Sequence, residues 1–160
     1  MKKHIRVAVS ILMLTVFLSV EFAIASEWEM APDFSLPDIN NNIVTLSSYK
    51  DKKPVLLFFW TTWCPYCRRE LRALNYRSPE LIKDGLEILS INVGESPNKV
   101  KSFIKSYYLA YRVILDEDTN VAYSYRLIGV PTYVLIDKRG HVVFKGNSFP
   151  EETYKDLVSE

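Results

Sequence analysis

The chain has 160 residues, of which 48% are hydrophobic, 13% aromatic and 24% charged. That composition supplies the core of one ordinary globular domain and is too apolar for a disordered or collagen-like chain. Lysine and arginine number 20 against 19 acidic residues, a formal net charge of +1, so no field draws it to a nucleic-acid backbone and no such partner is expected. The two cysteines, Cys64 and Cys67, exclude a multi-bridge disulfide scaffold and supply only half of a tetrahedral zinc site.

Residues 1–25 read as an address label. Lys2, Lys3 and Arg6 form a basic start, Val7 to Val20 is a 14-residue and almost wholly apolar run, and Ala23-Ile24-Ala25 gives the small-x-small pattern of a signal-peptidase site. An uncleaved membrane anchor is the alternative, although the run is short of the roughly 20 residues a bilayer span needs. Either reading sends the rest of the chain outside the cytoplasm, to the periplasm or the outer face of the membrane. The domain is then expected over residues 26–160, with membrane contact only if the leader is retained.

After a short tether, Phe34 to Pro37 and Ile43 to Leu46 predict a hairpin around the polar run Asp38 to Asn42. Pro54 to Trp60 is continuously apolar, as a strand buried on both faces requires, and points to a central, parallel position. A helix follows, with Pro65 at its first position and Cys67, Leu71 and Leu74 as an inward stripe. Ser78-Pro79-Glu80 predicts a restart or kink, and Gly85 a stop. Leu86 to Val93 is the next strand, and a helix starts at Ser96-Pro97 with Val100, Phe103, Ile104, Tyr107 and Tyr108 at helical spacing. Arg112 to Leu115 predicts a strand and Asp118 to Leu127 a helix. Thr132 to Ile136 and His141 to Lys145 predict an antiparallel pair, and Pro150 to Val158 a last helix with Glu151 and Glu152 in its first turn.

Cys64 stands where the buried strand hands over to a helix, so its sulfur faces unpaired backbone N–H groups and the positive end of the helix dipole, which favour a thiolate. It is the candidate nucleophile. Cys67, one turn deeper on the core stripe, is the candidate resolving thiol, placed to attack a mixed disulfide on Cys64. A purely structural disulfide is the competing reading, but a four-residue loop stabilises by only about 2 kcal/mol, against about 4.7 for a loop of 100. Metal binding finds no support, because His4 lies in the leader and His141 stands alone in a late strand. No metal is expected, nor any cofactor beyond the Cys64–Cys67 dithiol itself.

The segment Phe58-Phe59-Trp60-Thr61-Thr62-Trp63-Cys64-Pro65-Tyr66-Cys67 resembles the active-site segment of the thioredoxin superfamily, and Gly129-Val130-Pro131-Thr132 resembles its second signature. The export signal, Ala31-Pro32-Asp33-Phe34 and Asn92-Val93-Gly94-Glu95 are similar to the extracytoplasmic TlpA/ResA-like thiol-disulfide oxidoreductases. The resemblance implies an α/β, thioredoxin-like fold: a central mixed sheet flanked by helices, with an N-terminal β-hairpin. It also implies a cis peptide bond before Pro131 and a substrate chain lying beside Val130 and Pro131. The activity implied is thiol-disulfide exchange on protein substrates, with apocytochrome c as one such substrate and a membrane electron donor of thiol-disulfide type. Oxidases and isomerases share this fold and site, so the direction stays open.

Glu70 falls beside Cys67 on the helix, at the border of the apolar stripe, and could be a solvated helix carboxylate. A glutamate belongs to the active site of ResA-like members at this position, which implies a proton acceptor for Cys67. The buried acid that thioredoxin carries six residues before its first cysteine is absent, its position taken by Phe58. Trp63 before Cys64, and Pro65 and Tyr66 between the cysteines, are candidate substrate contacts, and Pro65-Tyr66 is the dipeptide of glutaredoxins. Two other readings are weaker. Thr61-x-x-Cys64 partly matches a peroxiredoxin site but has Leu57 at the proline position, and a copper-delivery module of the Sco type needs a wider cysteine spacing and a histidine absent here.

Overall fold

A computed structural model describes residues 29–159. The expected leader, residues 1–25, lies outside the described residues. Among those described, no helix is long and apolar enough to cross a membrane.

Strands β1 (Ser35–Pro37) and β2 (Ile43–Thr45) form the expected antiparallel hairpin. The Asp38 carboxylate closes its loop by accepting from the backbone N–H of Asn40 (2.7 Å) and Asn42 (2.9 Å). A separate five-stranded sheet has the order β5-β4-β3-β6-β7. Its centre is β3 (Val55–Trp60), parallel to β4 (Glu87–Val93) and antiparallel to β6 (Thr132–Ile136). The edges are β5 (Arg112–Asp116), parallel to β4, and β7 (Val142–Gly146), antiparallel to β6.

Every residue of β3 is buried because each face has its own core. Leu56, Phe58 and Trp60 pack with Cys67, Leu71, Leu74 and Val100 on one side. Val55, Leu57 and Phe59 pack with Phe34, Val44, Val121 and Tyr125 on the other. The alternation follows from the two-residue period of a strand. Helix α1 (Pro65–Lys83) covers the first face with Cys67, Leu71, Leu74, Ser78 and Leu81 turned inward. The fold is the thioredoxin-like α/β architecture.

Three helices depart from the expected limits. Helix α1 runs through Pro79 rather than restarting there. Proline cannot donate to the carbonyl four residues back, that of Asn75, and the Ser78 hydroxyl takes its place at 2.9 Å. Gly85, at φ +91°, then ends the helix as expected, with Gly85 N–H on the Ile82 carbonyl and Leu86 N–H on that of Leu81. Helix α2 (Pro97–Ile104) stops before Tyr107 and Tyr108, the latter exposed at φ +48°. Helix α3 (Asn120–Ser124) is shorter at both ends than expected. The buried Asp116 carboxylate caps its start, accepting from Val121 and Ala122 N–H, and Arg126 at φ +48° turns the chain out at its end. Helix α4 (Glu151–Ser159) closes the described chain.

Candidate active site

Strand β3 delivers Thr61, Thr62 and Trp63 to the top edge of the sheet, and Cys64 caps α1 in an extended conformation with Pro65 as the first helical residue. The Cys64 sulfur accepts the Cys67 backbone N–H at 3.1 Å, the contact by which a helix start stabilises negative charge on sulfur. Cys64 and Cys67 are joined as a disulfide with their Cα atoms 5.2 Å apart. In this bonded state Cys64 is 4% exposed and Cys67 0%, so both cysteines are covered. The Val130 carbonyl oxygen lies 3.7 Å from the Cys64 sulfur and contributes to that cover. Trp63 and Tyr66, by contrast, are 66% and 64% exposed on either side of the pair, with Pro65 exposed between them.

The Val130–Pro131 peptide bond is cis. Its loop is tied down on both sides: the Thr132 hydroxyl donates to the Gly129 carbonyl (2.7 Å) and the Asn147 amide to the Pro131 carbonyl (3.0 Å). The structure thus brings Cys64, Cys67, Val130 and Pro131 to one place at the ends of β3 and β6.

Glu70 is half-buried and turned toward the core. One carboxylate oxygen accepts the Tyr133 hydroxyl at 3.1 Å, and the Arg69 guanidinium lies 3.4 Å from the other. Tyr133 is buried with its ring centroid 4.7 Å from that of Phe58. Burial, together with the charge and hydrogen bond of Glu70, pushes the Tyr133 hydroxyl far above its ordinary range, so it remains a proton donor. Phe58, at the sequence position where thioredoxin carries its acid, thus packs against Tyr133 instead. Sequence reasoning placed Tyr133 in a strand and did not find its bond to Glu70.

A second residue missed by sequence reasoning stands behind the cysteine loop. The buried Glu95 carboxylate accepts from the Thr62 backbone N–H (2.6 Å), the Thr62 hydroxyl (2.7 Å) and the Asn92 amide (2.8 Å), and pairs with Lys99 at 2.6 Å. Burial works to raise its pKa, but Lys99, Asn92 and Thr62 outweigh burial and hold the group below its ordinary value. Glu95 therefore fixes the backbone two residues before Cys64. Its only signal in the sequence was its place in Asn92-Val93-Gly94-Glu95.

Comparison with known proteins agrees with this geometry. The model of the AhpC/TSA family matches residues 28–145. The thiol-disulfide oxidoreductase ResA of Geobacillus kaustophilus is 37% identical over 131 residues, covering 81% of this chain and 75% of that protein. ResA of Bacillus subtilis is 40% identical over 118 residues, covering 74% of this chain and 65% of that protein. Among solved structures, the thioredoxin domain of a thiol-disulfide oxidoreductase from Bacteroides vulgatus superposes with a TM-score of 0.70 at 25% identity, covering 82% of this chain and 94% of that one. A strand–Cys-Pro-Tyr-Cys–helix junction beside a cis-proline loop, on a scaffold shared with these proteins, makes this chain a member of the AhpC/TSA family and, within it, of the ResA-like thiol-disulfide oxidoreductases of the thioredoxin superfamily.

Proposed function

We propose that the protein is exported and reduces disulfides of other proteins outside the cytoplasm, with apocytochrome c a candidate substrate and a membrane dithiol protein its electron donor. The observation that carries this reading is the Cys64 sulfur held by the Cys67 N–H at the start of α1, between exposed Trp63 and Tyr66 and against the Val130–Pro131 loop. In the reduced protein the Cys64 thiolate attacks one sulfur of a substrate disulfide and expels the other as a thiolate. The Cys67 thiol gives up its proton and attacks the Cys64 sulfur of the mixed disulfide, releasing the second substrate thiolate. Two electrons pass to the substrate, and Cys64–Cys67 is left as a disulfide for the donor dithiol to reduce. Trp63, Pro65 and Tyr66 form one wall of the substrate path, and Val130 and Pro131 the other.

Glu70 is the group that takes the Cys67 proton, and the Tyr133 hydroxyl holds its carboxylate in place. The relatives named for thiol-disulfide exchange favour this chemistry over peroxide reduction. Rapid mixing of the reduced protein with a peptide disulfide, followed over pH 5 to 9, tests the assignment. Glu70→Gln keeps the size and removes the base, so release of the mixed disulfide slows about a hundredfold, the low end of what a positioned base contributes, while attack by Cys64 changes little. Tyr133→Phe keeps the ring and shifts the pH profile of release alone. Unchanged release in both variants would reduce Glu70 to a structural carboxylate.

A further inference from the structure

The first three turns of α1 present an exposed strip that leads away from the Cys64–Cys67 pair. Tyr66, Arg68, Arg69 and Arg72 are exposed along it, with Trp63 at its head and Tyr76 at its foot. Rings help to hold two of the guanidinium groups: Arg69 lies over Tyr66 at 5.4 Å and Arg72 over Tyr107 at 5.5 Å. Among the described residues neither Arg68 nor Arg72 enters an ion pair. Glu70, the acid within these turns, is already bonded to Tyr133 and Arg69. A cleft beside Arg72 is lined by Asn75, Tyr76, Ser106 and Tyr107. Asn75 is committed to the backbone, donating to the Tyr107 and Tyr108 carbonyls and accepting from Ala110 N–H, which leaves the Arg72 guanidinium as the charged group of that cleft.

We infer that this strip is the docking surface for an acidic segment of the disulfide-bearing protein, a reading that rests on the exchange role proposed above. Arg68 and Arg72, four residues apart, stand one above the other on the helix. At 1.5 Å per residue they lie about 6 and 12 Å along the axis from Cys64. An extended partner advances about 3.3 Å per residue, so its carboxylates belong about two and four residues from the cysteine that Cys64 attacks. Arginine, tyrosine and tryptophan are the side chains that anchor protein interfaces, and a guanidinium oriented by a ring pairs with a carboxylate at little ordering cost. With a net charge of only +1 over the whole chain, unpaired arginines gathered beside the disulfide give this end a local positive field that attracts acidic partners and repels basic ones.

The test uses peptides whose single cysteine is in mixed disulfide with 2-mercaptoethanol, carrying Asp, Asn or Lys at the second and fourth positions on either side of it. The reduced protein is expected to exchange with the Asp peptide on the order of tenfold faster than with the Asn peptide at low salt, and with the Lys peptide more slowly still. The preference collapses near 0.5 M salt, as a screened surface interaction must. In the double variant Arg68→Gln, Arg72→Gln the Asp-to-Asn ratio falls to near one, while exchange with uncharged bis(2-hydroxyethyl) disulfide stays close to that of the unsubstituted protein. Equal Asp and Asn rates in the unsubstituted protein, or a preference that survives both substitutions, overturn the inference. Binding of the strip to phosphatidylglycerol vesicles without any Asp preference assigns it to a membrane surface and also overturns it. Failure to reduce bis(2-hydroxyethyl) disulfide at all would remove the exchange role itself, whereas reduction without acidic preference removes only the docking surface.

Discussion

Replacing Cys67 with Ala will abolish multiple turnover and cause mixed disulfides to accumulate on Cys64. The expectation follows from the division of labour at the start of α1. Cys64 caps the helix and accepts the Cys67 backbone N–H, an interaction of the main chain that Ala retains. The attack on a substrate disulfide is therefore preserved. Release requires a second sulfur within reach of the first, and Cys67 supplies it from the buried face of the helix with its Cα 5.2 Å from that of Cys64. Without it only an external thiol can free the substrate. Cys64→Ala removes the attacking group and leaves Cys67 fully buried, so no adduct should form. Mass spectrometry of each variant after exposure to a peptide disulfide distinguishes the two positions, and equal adducts on the two single-cysteine proteins would remove the assignment of Cys64 as nucleophile.

Glu95→Gln is expected to destabilise the protein by about 2 kcal/mol at neutral pH. Both oxygens of Glu95 are in use, one by the Thr62 N–H and the Asn92 amide and the other by the Thr62 hydroxyl and Lys99. Glutamine keeps one acceptor and puts an NH2 group where the other stood, which ends the ion pair with Lys99. The difference has a definite pH dependence. Because the folded state holds the Glu95 carboxyl below its ordinary value of 4.5, its contribution is fully present above that value and is lost as pH falls through the lower folded-state value. Denaturant unfolding of the two proteins should separate clearly at pH 7 and converge in acid. A gap that stays constant down to pH 3 would mean that the charge of Glu95 does not stabilise the Thr62 loop.

The strand–helix junction at Cys64 was legible because two strong local signals meet there: a six-residue strand buried on both faces and a proline at the first helical position. The hairpin and the antiparallel β6–β7 pair were legible for the same local reason, since turn residues announce them. What escaped depends on partners far along the chain. The bond of Tyr133 to Glu70 spans 63 positions and that of Thr62 to Glu95 spans 33, and no periodicity reports which polar atom a folded chain will bring to another. The helix limits failed through local compensation. A serine hydroxyl next to Pro79 takes the Asn75 carbonyl that proline leaves without its backbone donor, so the helix continues past it, and Arg126 adopts the left-handed backbone that sequence reasoning reserves for glycine.

The central claim is that Cys64 and Cys67 form a reducing dithiol, and equilibration with glutathione or dithiothreitol buffers of known poise tests it most directly. The fraction of the couple in the disulfide form, read by mass spectrometry after acid quench and alkylation, gives its reduction potential. A reductase of protein disulfides requires a value near that of thioredoxin, about −270 mV. A value near about −120 mV, where the dithiol holds its electrons and the disulfide takes them from others, would contradict the account and make the protein an oxidase.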